Sequence, residues 1–237
     1  MLPGPERLLA AVDATWPPAE MMERDGWVLR RGAGGGKRVS AASRLPGAEP
    51  DVTAAVAGLA AWAQPPLFRL DPGDGALDAE LAADGYALID PVVLYAASVA
   101  TLTDDRDETA RIIRVSTPVA VAAEIWAAGG IGPGRLAVME RAEGPRVTLI
   151  ARRDDRPLGV AFCALDGPIA MIHAVEVLAD QRRRGLGAEL LTGAANWASA
   201  EGAETLALAV TEANSAARAL YERAGMVPAG RYHYRGR

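Results

Sequence analysis

Along the chain the apolar positions switch between two spacings, every third or fourth residue and every second, and the switches predict a succession of helices and strands. Glu6 to Trp16 has helical spacing and stops at Pro17-Pro18. Gly26 to Arg31 and Lys37 to Ser43 read as two strands joined by the glycine loop Gly32 to Gly36. Asp51 stands where a helix N-cap belongs, before an alanine-rich helix through Ala63 that Pro65-Pro66 ends. Leu67 to Leu70 is a short strand, Leu77 to Ala83 is a helix closed by Asp84-Gly85, and Tyr86 to Ser98 is extended.

The polar run Thr103-Asp104-Asp105-Arg106-Asp107-Glu108 then marks a boundary, giving expected domains of residues 1–103 and 108–237. Beyond it Ile112 to Val115 is a strand and Pro118 to Ala128 a helix ended by Gly129-Gly130, with a second helix starting near Pro133. Arg146 to Arg152, Pro157 to Leu165 and Ile169 to Leu178 are strands separated by the turns Asp154-Asp155 and Asp166-Gly167. A long helix from Gly185 to Ala200, a strand from Thr205 to Val210, a helix from Asn214 to Ala224 and a strand from Val227 to Tyr234 complete the chain. This order makes an α/β chain of the α+β type, a mixed sheet with helices on both faces. The first half repeats the pattern of the second at a shift of 140 residues: Phe68 and Leu70 fall on Leu208 and Val210, and Gly85-Tyr86 on Gly225-Met226.

Composition narrows the function. Half of the 237 residues are hydrophobic and only 5% aromatic, so the core is built from Ala, Val, Leu and Ile and global disorder is excluded. A net charge of -5 argues against a nucleic-acid or membrane surface as partner. The single cysteine, Cys163, reads as a small buried hydrophobe; with only His173 and His233 besides, no metal site is expected. The N-terminus lacks a basic n-region, and uncharged apolar runs such as Val92 to Ala100 are half the ~18–20 residues a membrane span needs. A cytoplasmic protein is the expectation. Lys37 is the only lysine, and the arginines gather at Arg182-Arg183-Arg184.

That arginine run lies in Val177-Leu178-Ala179-Asp180-Gln181-Arg182-Arg183-Arg184-Gly185-Leu186-Gly187-Ala188, between a strand and a helix. A glycine-rich turn that opens a helix leaves backbone N–H groups unpaired at the positive end of the helix dipole. Gly185 and Gly187 let a phosphate approach where a Cβ would collide. Hydrogen bonds to a charged group contribute roughly 1.5–3 kcal/mol each, so a few of them hold a diphosphate. Two familiar phosphate motifs fail here. Lys37 in Gly36-Lys37-Arg38 has Arg31 where a Walker A loop needs its first glycine, and no hydroxyl follows it. The dinucleotide pattern Gly-x-Gly-x-x-Gly has Leu190 at its third glycine.

Arg182-x-x-Gly185-x-Gly187, with Val177 five residues before it, resembles the acetyl-coenzyme A signature Arg/Gln-x-x-Gly-x-Gly/Ala of the GNAT acetyltransferase superfamily. A second element, Asn214-x-x-Ala217-x-x-Leu220-Tyr221-x-x-x-Gly225, lies where that family places its last core helix. The resemblance covers about residues 108–237 and departs at Ala179, where proline is common, and Arg183, where glycine is common. It implies a GNAT fold, possession of an acetyl-CoA site and transfer of an acetyl group to a primary amine, on a small molecule or a peptide. It assigns the cofactor to Val175, Val177, Arg182, Arg183, Arg184, Gly185, Leu186, Gly187, Ala188 and Asn214. Tyr221 falls beside the thioester sulfur, on one helical stripe with Asn214, Ala217 and Arg218.

The base is open between Glu176 and His173, with Glu176 preferred, and an amine that deprotonates without a dedicated residue is the third option. In a regular strand these two side chains point to opposite faces; a bulge, usual in this family's strand, would change that parity. The plain reading of His173 is a hydrogen-bonded core histidine. Glu124 and Glu140, on the helices that usually border the acceptor, hint at a cationic substrate. At the 140-residue shift the phosphate loop corresponds to Ala42-Ser43-Arg44-Leu45-Pro46-Gly47-Ala48, which has no Gly-x-Gly. The first half is therefore expected to be a degenerate copy that shapes the acceptor site, and a monomer suffices if the halves pack as a pseudo-dimer. The glycine loop Gly32 to Gly36 reads as a hairpin connection whose arginine flanks leave a substrate role open. A non-catalytic acyl-CoA sensor, or a nucleotide-binding protein using that loop, are the rival readings.

Overall fold

Two prolines and one aspartate set the first helices. In the computed structural model, which describes residues 1–104 and 112–237, α1 (Pro5–Thr15) has proline in its first turn and stops before Pro17-Pro18. The next strands are β1 (Glu20–Arg24), β2 (Trp27–Arg31) and β3 (Ala42–Arg44). Asp51 then caps α2 (Val52–Ala60), its side chain accepting from the amides of Thr53 and Ala54. β4 (Leu67–Leu70), α3 (Gly75–Ala83), β5 (Ala87–Ser98) and the single turn α4 (Val99–Leu102) follow. Residues 105–108 of the expected linker lie outside the described residues.

Two expectations in this half are corrected. β1 was not anticipated, because all five of its residues are exposed and show no alternation. Its signal was the pair Asp25-Gly26, both at positive φ, which makes the two-residue turn joining β1 to β2. Lys37 to Ser43 is not one strand: Lys37–Val39 forms a 3₁₀ turn, and only Ala42–Arg44 extends beside β2. Glycines at positive φ, Gly34 and Gly36, turn the chain away before it can pair.

The second half runs β6 (Ile112–Val115), α5 (Ala120–Ala128), α6 (Pro133–Arg141), β7 (Arg146–Arg153), β8 (Arg156–Asp166), β9 (Ile169–Val177), α7 (Leu186–Ala200), β10 (Thr205–Thr211), α8 (Ser215–Arg223) and β11 (Val227–Gly236). The strands form one eleven-stranded sheet in the order β1-β2-β3-β4-β11-β5-β10-β9-β8-β7-β6. Only β3–β4 and β9–β10 are parallel pairs.

The repeat at 140 residues extends to the hydrogen-bond register. Leu70, Arg69, Phe68 and Leu67 of β4 face His233, Tyr234, Arg235 and Gly236 of β11. Val210, Ala209, Leu208 and Ala207 of β10, each 140 positions later, face Val93, Leu94, Tyr95 and Ala96 of β5. The two last strands are thus exchanged: β11 lies beside β4 of the first half and β5 beside β10 of the second. They pair with each other antiparallel, and at their centre Val92 faces Tyr232, its own repeat equivalent. A local pseudo-twofold axis passes through that pair.

β5 alternates accordingly. Val93, Tyr95 and Ala97 pack into the core under α7 and α8, while Val92, Leu94 and Ala96 pack under α1. Helices α5 and α6 cover β7 and β8 together with Trp16, and α2 and α3 cover the β2–β4 region. Helix α1 belongs to both halves: Asp13 receives Arg30 and Arg69 of the first at 2.7 and 3.0 Å, and Thr15 meets His173 of the second.

Expected outcome: residues 112–237 expressed alone leave β10 with an unpaired edge and β11 without either neighbour. By size-exclusion chromatography and thermal unfolding that fragment aggregates or shows no cooperative transition, and co-expression of residues 1–104 restores a monomeric one-to-one complex.

Candidate functional site

β9 carries an extra residue. His173 faces Phe162 and Glu176 faces Val160, so two residues of β9 stand against Ala161 alone. Ala174 sits in this bulge at φ 49°, left-handed backbone that a residue with a Cβ adopts at a cost. The bulge returns His173 and Glu176 to the same face of the sheet. It also ends the pairing with β10, which covers only Ile169–Met171 against Thr205–Ala207. From there the two parallel strands splay, and Val175 and Val177 lie half-buried on the diverging segment.

His173 is sealed in the core. The Thr15 hydroxyl donates to the Ala11 carbonyl, so it accepts from His173 Nε2–H at 2.8 Å, which leaves Nδ1 to accept from Arg38 at 3.2 Å. The ring packs against Trp16 and Phe162. Burial, with a smaller contribution from Arg38, holds the imidazole neutral, with its pKa well below the ordinary histidine value. Glu176 is placed differently. Its Oε1 accepts from Arg182 at 3.0 Å and from the Val177 amide, while Oε2 makes no hydrogen bond among the described residues. Its carboxylate lies directly over Gly129, where a Cβ would come within 2.3 Å of it. Gly129 is therefore needed for this close approach as well as for ending α5.

The phosphate-loop candidates separate into two groups. No amide of Gly185, Leu186 or Gly187 donates to another described residue, and no side chain caps α7. Gly185 is left-handed at φ 89° and Gly187 is within contact of Leu220, so neither accepts a larger residue freely. The Ala188 amide, expected to join them, is already bonded to the Gly185 carbonyl. Arg182 turns inward to Glu176 and the Val177 carbonyl, and Arg184 donates to Gln181. Arg183 takes φ 66°, the conformation the family's glycine would provide. Arg153, which the sequence did not single out, holds the loop by donating to the Arg184 carbonyl and to Glu189.

Asn214 caps α8 by accepting from the Ala217 amide, which leaves its own NH₂ free to donate. Tyr221 on the same helix is buried, and its hydroxyl has no hydrogen bond among the described residues. Burial pushes its pKa up to about 12. The first half differs at its helix starts: Asp51 caps α2, and Asp74 and Asp78 stand at the repeat positions of Asn214 and Arg218. Asp74 is paired with Arg44, while hydrogen bonds from Arg235 and then His233 hold the Asp78 carboxyl below its usual range.

A cavity of about 360 Å³ opens where β9 and β10 part. Ala174, Ala209 and Thr211 line its sheet side, and Val92, Tyr232 and Tyr234 its seam side. Trp16, Gly36, Lys37 and Arg38 come from the first half, and Ile131 and Arg135 from the second. Glu124 and Glu140, read as a hint of a cationic acceptor, are exposed on α5 and α6 and do not line it. The sequence left Trp16 and Arg135 unmarked; Arg38 was visible only as an arginine flanking the glycine loop.

The His173 environment has a measurable consequence. An unfolded chain protonates this histidine near pH ~6.5, whereas the folded one resists, so its contribution is full above that pH and is lost as pH falls below it. Expected outcome: urea unfolding between pH 6.5 and 5.5 shows stability falling by up to about 1.4 kcal/mol per pH unit more steeply than in His173→Gln.

The fold has known relatives. Residues 122–226 match the model of the acetyltransferase (GNAT) family. No curated protein matches the sequence. Among solved structures, a GCN5-related N-acetyltransferase from Kribbella flavida is 20% identical with a TM-score of 0.69, over 97% of this chain and 94% of its own. A conserved protein of unknown function from Staphylococcus epidermidis is 12% identical with a TM-score of 0.68, over 94% of this chain and 95% of its own. A tandem GNAT protein from the clavulanic acid biosynthesis pathway is 14% identical with a TM-score of 0.61, over 88% of this chain and 76% of its own. At these identities the structures share the fold alone: residues 122–226 match the acetyltransferase (GNAT) family model, and the whole chain has the mixed α/β fold of GNAT structures, a tandem one among them.

Proposed function

We propose that the protein is an acetyl-CoA-dependent N-acetyltransferase with one cofactor site per chain, in the second half. The observation that carries this reading is the uncapped start of α7, with three open amides, set beside the splayed edges of β9 and β10. Acetyl-CoA would supply the acetyl group as an activated thioester. The amides of Gly185, Leu186 and Gly187, with Arg183 beside them, suit its diphosphate. Val175 and Val177 on the diverging strand and the Asn214 amide suit the pantetheine arm. The two carboxylates and the capped α2 make the first half unsuited to the same ligand.

The chain's own groups then handle the protons. The acceptor enters as an ammonium and must lose a proton before it is nucleophilic. Glu176 takes it at Oε2, directly or through a water, while Arg182 and the Val177 amide hold Oε1. His173, buried and already bonded at both nitrogens, positions Arg38 instead of acting as the base. Tyr221 donates a hydrogen bond toward the departing sulfur. With its pKa near 12, full proton transfer to a thiolate of ordinary pKa ~8.5 is uphill by about 5 kcal/mol, so the phenol stays protonated.

Expected outcome: titration calorimetry finds one acetyl-CoA per chain, and Gly185→Ala, which strains the left-handed turn, weakens binding at least tenfold. Tyr221→Phe lowers kcat by ~10²-fold with KM for acetyl-CoA unchanged, and the wild-type rate shows no loss from phenol ionisation between pH 7 and 10. Binding without thiol release from any amine would instead mark an acyl-CoA sensor.

A further inference from the structure

We propose that the cavity between the two halves selects an amine acceptor that also bears an anion, a carboxylate or a phosphate, and that Arg38 and Arg135 bind that anion. The proposal rests on the acyltransferase reading of the neighbouring cleft and names the substrate class for it.

Four charged side chains line the cavity, Lys37, Arg38, Arg135 and Asp90, beside the neutral phenols of Tyr232 and Tyr234. Asp90 is paired with Lys37 at 2.8 Å, so these two cancel. No described carboxylate pairs with Arg38 or Arg135, which leaves a net charge of two positive on the cavity lining. Arg38 is already oriented. Its guanidinium lies 5.8 Å from the Trp16 ring centre, and one nitrogen donates to His173 Nδ1, a neutral partner that leaves the charge intact. The Arg135 side chain is exposed and makes no hydrogen bond among the described residues.

The glycines of the Gly32 to Gly36 loop explain how arginines from different halves come to line one cavity. A Cβ on Gly134 would lie 2.3 Å from the Gly34 carbonyl oxygen, so the two backbones touch. A Cβ on Gly36 would meet the Arg135 guanidinium at 3.4 Å. The loop thus docks on α6 by backbone contact and leaves both guanidinium groups lining one space. Planar guanidinium groups suit carboxylate and phosphate oxygens, and the pair repels a cationic acceptor. A volume of about 360 Å³ suits a small molecule. Ala174, Ala209 and Thr211 at the strand splay mark the end nearest the proposed thioester site.

The test uses matched acceptors, β-alanine against β-alaninamide and phosphoethanolamine against ethanolamine, with putrescine as the cationic probe. Dissociation constants for the full chain are measured by calorimetry at low salt, and thiol release from acetyl-CoA is measured in parallel. The expected result is that one anion-bearing member binds at least tenfold tighter than its partner without the anion; which pair shows it separates carboxylate from phosphate. Arg135→Gln should collapse that ratio toward one with Tm unchanged, while Glu140→Gln leaves it intact. Equal affinity within both pairs, tighter binding of putrescine, no millimolar binding of either anion-bearing probe, or a ratio that survives Arg135→Gln overturns the proposal. A charge preference in binding with no thiol release from any amine sinks the acyltransferase reading and leaves the anion site standing. Thiol release at equal efficiency within both pairs does the reverse.

Discussion

The antiparallel pairing of β5 with β11 is the constraint on which the rest of the molecule depends. Each strand is the last of its half, and each lies against the other half's strand as well as against its exchanged partner. Neither half therefore closes its own sheet. The register repeats at 140 residues on both sides of the Val92–Tyr232 pair, so the two halves meet as a dimer would, within one chain. This arrangement buries β5 on both faces and places Tyr232 and Tyr234 from the end of the chain beneath the first helix.

From equal topologies the halves diverge through a few polar choices at helix starts. In α2 a carboxylate caps the first amides, a contribution to stability of about 1 kcal/mol that also fills the place an anion would take. In α7 the equivalent helix begins at a left-handed glycine with no cap, so its amides remain available. Leaving those groups without a capping side chain gives up local stability of the same order. The same contrast separates Asp74 and Asp78 from Asn214 and Arg218. The first half keeps the strand and helix order of the second with carboxylates at these two positions.

What the first half provides is a wall. Trp16, Lys37 and Arg38 line a cavity whose other side is built from Arg135 and the β9 bulge. That bulge is the second local feature with distant effects. It parts β9 from β10, brings Glu176 and His173 to one face, and sends them to different environments: Glu176 under the Arg182 guanidinium, His173 into a dry aromatic site.

The sequence by itself determined most of the secondary structure, because each half is locally consistent: Asp51 as a cap, Pro17-Pro18 and Pro65-Pro66 as stops, and alternation in β5 and β7 through β10. It also pointed to the open amides of Gly185, Leu186 and Gly187, since an uncapped helix start follows from the local run Arg182 to Gly187 without reference to any other part of the chain. It missed β1, whose exposed residues carry no apolar signal, although Asp25-Gly26 announced the turn. Three things were decided only by tertiary structure. Strand exchange between halves depends on pairing over more than a hundred residues, which no local pattern encodes. The role of each arginine depends on which acceptor lies within reach, so Arg182 turned to Glu176 while Arg38 and Arg135 were left facing a cavity. The protonation of His173 and Tyr221 is set by burial, and burial is a property of the packed molecule.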